Sequence, residues 1–302
     1  MEIGFALPVS GSWATAENCI EIAESAERLG YSALWTFQRL LSPVTPEGQQ
    51  WLPPAYHSVH DPFSVLAFAA ARTSRVRLGV AVVNAPFYPP ALLAKIVTTI
   101  DRLSGGRLDL GLGLGWMPEE FRAMGVSMEG RGDRLVETIA ALDAIWTDGV
   151  VSFEGTTVSI PESVMAPLPV QTPRPPMLLG GSAPAALRRA GRIADGWVSA
   201  STADLTALRE PISLVRAAAQ DAGRDPDALR FVCRGVVKVR SDARAPLTGS
   251  LGEIREDLDL IAAQGMTETF IDLNFDPEIG SPDADPARSM DRARELLEAL
   301  AP

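Results

Sequence analysis

The sequence predicts an α/β fold, a closed (β/α)8 or TIM barrel, and three observations support this class. Eight apolar, strand-like runs alternate with amphipathic helical stretches along the 302 residues. Most of the runs lack strict polar and apolar alternation, as expected for parallel strands that are covered on both faces. No change in composition marks a second domain. One uninterrupted series favours closure into a barrel over a doubly wound open sheet, which shows the same alternation.

The strand-like runs are rich in Val, Ile, Leu and Phe and lie at residues 2–7, 32–37, 76–83, 107–113, 176–180, 196–200, 230–239 and 268–274. Between them, apolar residues recur at three- and four-residue steps, which predicts amphipathic helices. Two of these apolar stripes are Cys19, Ile22, Ala23, Ala26, Leu29 and Leu93, Ile96, Val97, Ile100, Leu103.

Capping residues support the helix boundaries. Asp61 before Pro62 predicts an N-cap followed by a first-turn proline, and Ser250 with Glu253 predicts a capping box. A final amphipathic segment at 286–300 completes the series.

Two insertions interrupt the rhythm, one after the second strand and one after the fourth. Residues 38–60 are proline-rich, and residues 147–175 contain a predicted hairpin at 150–160 followed by a proline-rich passage. Long loops inside a compact domain are commonly functional. We therefore expect substrate specificity to reside in both insertions.

Composition excludes several classes of function. The net charge of -11 and the pI of about 4.8 argue against a protein that grips the phosphates of nucleic acid. No apolar run is long enough for a membrane span, and the start of the chain lacks a signal-peptide pattern, so we expect a cytoplasmic protein. Two histidines are too few for most metal sites, and Cys19 and Cys233 are predicted core residues.

Glycine alternates with leucine at the end of the fourth run, from Gly111 to Gly115. Glycine weakens a strand, so this pattern indicates that another backbone or a flat ligand approaches too closely for side chains. The alternative is a weakened strand end that packs against a neighbouring helix.

The segment Asp101–Trp116, in which DRLSGGR is followed by a strand ending in GLGLGW, resembles the luciferase-like monooxygenase family of flavin- and deazaflavin-dependent barrel enzymes. The resemblance covers nearly the whole chain and implies a single barrel domain over 1–302. Residues 61–79 and the sequence Trp35-Thr36-Phe37 look more like the branch that uses coenzyme F420. The resemblance thus implies an oxidoreductase that transfers a hydride between F420 and a small organic substrate.

Two alternatives stay open. One is an FMN-dependent monooxygenase that uses reduced flavin and oxygen on the same scaffold, and the other is a barrel that binds flavin without turnover. The family commonly forms dimers through barrel helices, so the resemblance also implies a homodimer.

The cofactor site is expected at the carboxyl ends of the strands, where TIM barrels carry their reactive groups. This rule selects Pro8, Phe37 and Leu114. The resemblance adds Gly115 and Trp116 as cofactor neighbours.

The resemblance makes two further statements about the site. It implies a non-prolyl cis peptide between Ala81 and Val82, in a bulge that backs the cofactor ring, and it makes Glu120 a structural anchor. The turn Gly180-Gly181-Ser182 precedes a predicted helix, whose N-terminus favours anions, and the resemblance places the cofactor beside it. The alternative for this turn is an N-cap serine.

The catalytic candidates follow from a position at which this chain differs from the family it resembles. Many F420-dependent relatives carry an Asp-His pair after the second strand, where this chain has Gln38-Arg39, and neither side chain transfers protons at neutral pH. If the reaction needs a proton, His57, His60 or the substrate must supply it. Each histidine is alternatively a solvated loop residue or a cap.

Overall fold

Eight parallel strands close into a barrel in the computed structural model, as the sequence predicts. The structure describes the backbone of residues 1–302 and every side chain except that of residue 148. In chain order, which is also the order around the barrel, the barrel strands are β1 (Glu2–Ala6), β2 (Ala33–Thr36), β3 (Arg77–Asn84), β4 (Leu108–Gly113), β7 (Met177–Gly180), β8 (Gly196–Val198), β9 (Arg230–Val236) and β12 (Glu268–Asp272).

The remaining strands form two small sheets outside the barrel. An antiparallel hairpin pairs β5 (Val150–Glu154) with β6 (Ser159–Val164), and a short parallel pair joins β10 (Lys238–Val239) to β11 (Thr248–Gly249). The hairpin confirms the element predicted at 150–160.

Helices surround the barrel and cover its outer face. Their bounds are α1 (Ala16–Leu29), α2 (Pro62–Ala70), α3 (Pro90–Ser104), α4 (Pro118–Ala123), α5 (Arg131–Asp148), α6 (Pro184–Ile193), α7 (Arg209–Asp221), α8 (Leu251–Ala263) and α9 (Pro286–Ala299). Among the described residues, no helix combines the length and the apolar character needed to cross a bilayer.

Local signals explain these helix boundaries. Asp61 accepts a hydrogen bond from the backbone N–H of Ser64 at 2.8 Å, and the capping box of Ser250 and Glu253 is complete. Leu103 differs from its prediction, because it is 69% exposed. The buried arc of α3 instead contains Val97, Ile100 and Ser104, and Leu103 lies beside that arc.

Two apolar cores flank the strands. The larger core lies between strands and helices and includes both cysteines, which are buried free thiols as predicted. Burial raises the pKa of the Cys19 thiol to about 12 and that of Cys233 to about 11. The smaller core fills the barrel interior with Ala6, Ala33, Trp35, Ala81, Leu178, Val198, Val232 and Phe270.

The two insertions lie at different ends of the barrel. Residues 38–60 follow β2 directly and lie at its carboxyl end, where Ser10 Oγ, just after β1, donates to the carbonyl of Ala55 at 2.6 Å. The second insertion follows a helix, because α5 first returns the chain to the amino ends of the strands. There Gln171 Nε2 donates to the carbonyl of Leu108, the first residue of β4, at 2.7 Å. The expectation that substrate specificity resides in residues 147–175 is therefore wrong for their proline-rich part, which lies at the opposite end of the barrel from the mouth.

Candidate active site

A bulge interrupts β3 at the carboxyl end of the barrel. The peptide bond between Ala81 and Val82 is cis, which confirms the feature that the family resemblance implies. The pairing of β3 with β4 shifts register between Val80 and Val83. Val82 is partly exposed at this irregularity, whereas Ala81 is buried.

The glycines opposite the bulge leave room for the protein itself. A Cβ atom on Gly111 would lie 2.0 Å from the carbonyl oxygen of Val80, and one on Gly113 would lie 2.6 Å from Cγ2 of Val82. A Cβ on Gly180 would lie 3.2 Å from Cγ1 of Val82. The bulge of β3 thus explains the glycine pattern, and Val82 provides the surface above these glycines.

The rim beyond β4 carries the residues expected beside the cofactor. Gly115 has φ +74°, and a Cβ there would lie 2.8 Å from the ring of Phe121. Leu114 is partly buried, and Trp116 keeps 51% of its surface exposed. The glycine therefore turns the chain over Phe121 and leaves the indole of Trp116 at the mouth.

The turn after β7 leaves a helix N-terminus open. Helix α6 begins at Pro184, and its N-cap is Ala183, which provides no side-chain cap, so Ser182 is not the N-cap. Gly181 adopts φ +127° and its carbonyl accepts from the indole N–H of Trp197 at 2.8 Å. Free backbone N–H groups at such an exposed N-terminus favour an anion.

Gln38 links the ends of two strands. Its Oε1 accepts from the backbone N–H of Asn84 at 2.9 Å, and its Nε2 donates to the hydroxyl of Tyr88 at 2.6 Å. Burial raises the pKa of Tyr88 to about 12, so this hydroxyl stays protonated near neutral pH. Both polar atoms of the Gln38 side-chain amide are therefore hydrogen-bonded within the protein.

Arg39 is buried and paired. It is 7% exposed, and its Nη1 lies 2.9 Å from Oε2 of Glu120. Its guanidinium lies over the rings of Tyr56 and Trp116, 4.5 and 4.8 Å from their centroids. Glu120 also accepts from the backbone N–H of Leu40 at 2.8 Å, which confirms its anchoring role. Among the described residues, the buried Nε of Arg39 has no hydrogen-bond partner.

Both histidines hold backbone carbonyls. His57 Nε2 lies 2.7 Å from the carbonyl oxygen of Leu52, and His60 Nε2 lies 2.8 Å from that of Ala14. A nitrogen that bonds to a carbonyl must be the donor, so Nδ1 is the remaining nitrogen of each ring. Pro8, at the end of β1, is buried beside this loop.

Arg234 is a site residue that the sequence reasoning missed. It projects into the barrel from β9, is 7% exposed, and donates through Nε to Oδ2 of Asp272 at 2.7 Å. Its Nη1 donates to the carbonyl of Ala81, at the bulge, at 3.2 Å. The rings of Phe37 and Phe275 flank the guanidinium, with centroids 4.7 and 4.2 Å from its carbon.

A polar network continues from Arg234 to the first strand. Oδ1 of Asp272 accepts from the backbone N–H and from Nδ2 of Asn274, both at 3.0 Å. Oδ1 of Asn274 in turn accepts from the backbone N–H groups of Val9 and Ser10 at 3.1 and 3.2 Å. An arginine and an aspartate inside two apolar runs were the available sequence signals.

Comparisons with known proteins agree with this architecture. The family model described as luciferase-like monooxygenase matches residues 1–271. An uncharacterized protein of Mycobacterium tuberculosis is 34% identical over 292 residues, which cover 92% of each chain. The FMNH(2)-dependent dimethylsulfone monooxygenase of Pseudomonas putida is 29% identical over 67% of this chain and 53% of its own.

Two solved structures share the fold. Monooxygenase RslO1 from Streptomyces bottropensis has a TM-score of 0.79 and 25% identity, covering 99% of this chain and 98% of that one. An F420-dependent secondary alcohol dehydrogenase, solved with an F420–acetone adduct, has a TM-score of 0.77 and 17% identity with the same coverage. At that identity, the second likeness shows the fold alone.

Proposed function

Because the chain belongs to the luciferase-like monooxygenase family, we propose that it transfers a hydride between coenzyme F420 and a small organic substrate. The observation that carries this proposal is the surface of Val82 at the barrel mouth. Gly113 and Gly180 accommodate its methyl groups from below, and its partly exposed side chain offers a flat tricyclic ring a surface to lie on.

Each part of the mouth would have a distinct binding role. The ring would lie on Ala81 and Val82, with Leu114, Gly115 and Trp116 along one side and Pro8 and Phe37 opposite. The N-terminus of α6, with Gly180, Gly181 and Ser182, would hold the phosphate. When bound, F420 supplies two-electron hydride chemistry, and the protein contributes orientation and a dry pocket.

Gln38 and Arg39 would hold neighbouring side chains and backbone in place and would not transfer protons. Gln38 is committed to Asn84 and Tyr88, and Arg39 is paired with Glu120. Arg39 and Arg234 lie against aromatic rings and would shape the wall that faces the substrate. Both histidines hold backbone carbonyls, so proton supply, where the reaction needs it, would come from the substrate.

A second candidate is an FMN-dependent monooxygenase. It is favoured by the relative from Pseudomonas putida, whose name states dependence on FMNH(2). Such an enzyme would use the same platform and the same phosphate site, but it would consume oxygen.

Anaerobic titration of the purified protein with F420 and with FMN, in oxidised and reduced forms, separates the two. Fluorescence of the deazaflavin and of the flavin reports binding. We expect F420 to bind at least about tenfold more tightly than FMN. We also expect the substrate to oxidise reduced F420 at the same rate with and without oxygen. Tighter binding of reduced FMN, with oxygen uptake, would support the monooxygenase instead.

A barrel without turnover is the remaining alternative. It predicts tight cofactor binding but no change in cofactor absorbance across a panel of alcohols, ketones and unsaturated carbonyl compounds. The homodimer, the cytoplasmic location and the single domain over 1–302 also remain proposals. Sedimentation velocity tests the first of them, since a dimer has twice the mass of 32.2 kDa for one chain.

A further inference from the structure

A basic groove lies on the outside of the barrel between α5, α6 and the tip of the β5–β6 hairpin. It has a volume of about 1100 Å³. Its α6 wall includes Arg188, Arg189 and Arg192, and the first two lie four and three residues before Arg192, on neighbouring positions of the helix surface. None of the three forms an ion pair with any described carboxylate.

The opposite wall carries acids as well as a fourth arginine. Glu129, Asp133 and Glu137 line it, together with Arg134. Arg134 donates to the carbonyl of Ser127 at 2.9 Å. Glu137 is bound to the hairpin tip, where it accepts from the backbone N–H of Thr157 at 2.8 Å. The groove is thus lined by four arginines and three carboxylates, and one of those carboxylates is already engaged.

One end of the groove lies next to the proposed phosphate site, three residues beyond Ser182. The N-termini of α5 and α6 both lie there, since Gly130 and Ala185 line the groove. Each N-terminus adds a partial positive charge. From Ala185 to Arg192 the helix rises about 10 Å. An anion bound at the N-terminus of α6 would therefore lie next to a row of arginines that extends for about 10 Å along the helix.

The occupant should be a flexible chain that carries several carboxylates and is attached to the phosphate. FMN ends at its phosphate, whereas F420 continues into a chain of glutamates that are ionised at neutral pH. We propose that this groove binds the glutamate tail of F420, with Arg188 and Arg192 pairing with its carboxylates. The inference rests on the proposed F420-dependent function.

The test compares two forms of the coenzyme. Dissociation constants are measured by fluorescence for F420 with its glutamate tail and for the form that lacks glutamates. We expect the wild-type protein to bind the tailed form about tenfold more tightly. The double variant Arg188→Gln/Arg192→Gln should lose this difference while binding the tail-free form as before. Raising the salt concentration should reduce the difference in the wild type.

Arg28→Gln is the matched control, because Arg28 is an exposed helical arginine that bonds only to Ser25 among the described residues. It should keep the full preference for the tailed form. Equal affinities of the wild type for both forms, or a preserved preference in the double variant, would overturn the inference while the ring site stands. Failure of both forms to bind would reject the proposed function and this inference together.

Discussion

The two ends of the barrel use the same residue type in opposite ways. Arg230 and Arg234 lie four residues apart on β9, so both point into the barrel. At the amino end, both terminal nitrogens of Arg230 face carboxylates, because Nη1 lies 2.8 Å from Asp109 and Nη2 lies 3.0 Å from Glu268. At the carboxyl end, Arg234 binds Asp272 and the Ala81 carbonyl, and its Nη2 has no partner among the described residues.

The amino end is a closed layer of paired charges. Burial opposes the charge on Arg230, but Asp109 and Glu268 outweigh it and raise the pKa of the guanidinium. Burial also raises the pKa of Glu268, against the opposing effects of Arg230 and of the Trp35 indole, which donates at 2.7 Å. Arg77 contributes a second cation to Asp109, with its Nε 2.9 Å from Oδ2. This end therefore stabilises the fold.

The carboxyl end keeps hydrogen-bonding capacity for a ligand. The guanidinium of Arg234 is fixed in position by two rings, a carboxylate and a carbonyl, and one nitrogen remains free. Buried charge alone therefore does not identify a site in this barrel. What distinguishes the mouth is that the terminal nitrogen Nη2 of Arg234 has no acceptor among the described residues, whereas both terminal nitrogens of Arg230 face carboxylates.

The largest expected effect is at the amino end. Arg230→Met leaves Asp109 and Glu268 buried without a cation between them, and we expect a loss of about 3–5 kcal/mol in the free energy of unfolding. Arg234→Met should cost less, about 1–3 kcal/mol, because Asp272 keeps two N–H donors from Asn274. Urea unfolding of both variants measures the difference. A greater loss at Arg234 would contradict the division between the two ends.

The next effect lies between the ends, at the glycines of β4. Gly111→Ala would place a Cβ atom 2.0 Å from the Val80 carbonyl, so we expect a loss of about 2–3 kcal/mol. Gly252→Ala is the control on α8, where a Cβ meets nothing within 4 Å. There we expect a gain of about 0.5–1 kcal/mol. Thermal unfolding compares them, and a neutral Gly111→Ala would mean that the bulge does not require this glycine.

A smaller expected effect is the pH dependence of the stability that Glu27 contributes near the amino end of the barrel. Glu27 accepts the backbone N–H groups of residues 74–76, which lead into β3. Partial burial acts to raise its pKa, but these hydrogen bonds outweigh it and lower the pKa to about 2. The stabilisation is therefore present above the unfolded pKa near 4.5 and is lost as the pH falls towards 2.

Glu27→Gln should cost about 1–2 kcal/mol at pH 7, after allowance for solvent screening, and progressively less below pH 4.5. The control is Glu298→Gln, an exposed position on α9. Denaturant unfolding at several pH values measures both. A cost that stays constant down to pH 2 would show that the carboxylate charge is not responsible.

The smallest expected effect is at the mouth loop. His57→Ala and His60→Ala each remove a ring that holds a carbonyl, and we expect turnover to change less than about threefold. A general acid would contribute about a hundredfold or more. Steady-state assays with the substrate found by the panel decide the question. A hundredfold loss at either position, with unchanged cofactor affinity, would identify that histidine as the proton donor.

The sequence predicted the barrel well because its eight apolar runs and capping residues are local signals. It also led, through the family resemblance, to the cis bond before Val82. It misplaced residues 165–175, because the path of a chain after a helix depends on tertiary packing. It missed Arg234, because a charged residue inside an apolar run shows its meaning only when Ala81, Phe37 and Phe275 are brought around it. The roles of His57 and His60 remain predictions.

The most direct test of the central claim is a crystal structure of the protein soaked with F420. We expect the deazaflavin ring within van der Waals contact of Val82 and its phosphate at the N-terminus of α6. A ring bound elsewhere, or a mouth filled by the side chains of Phe37, Trp116 and Phe275 at saturating F420, would contradict it.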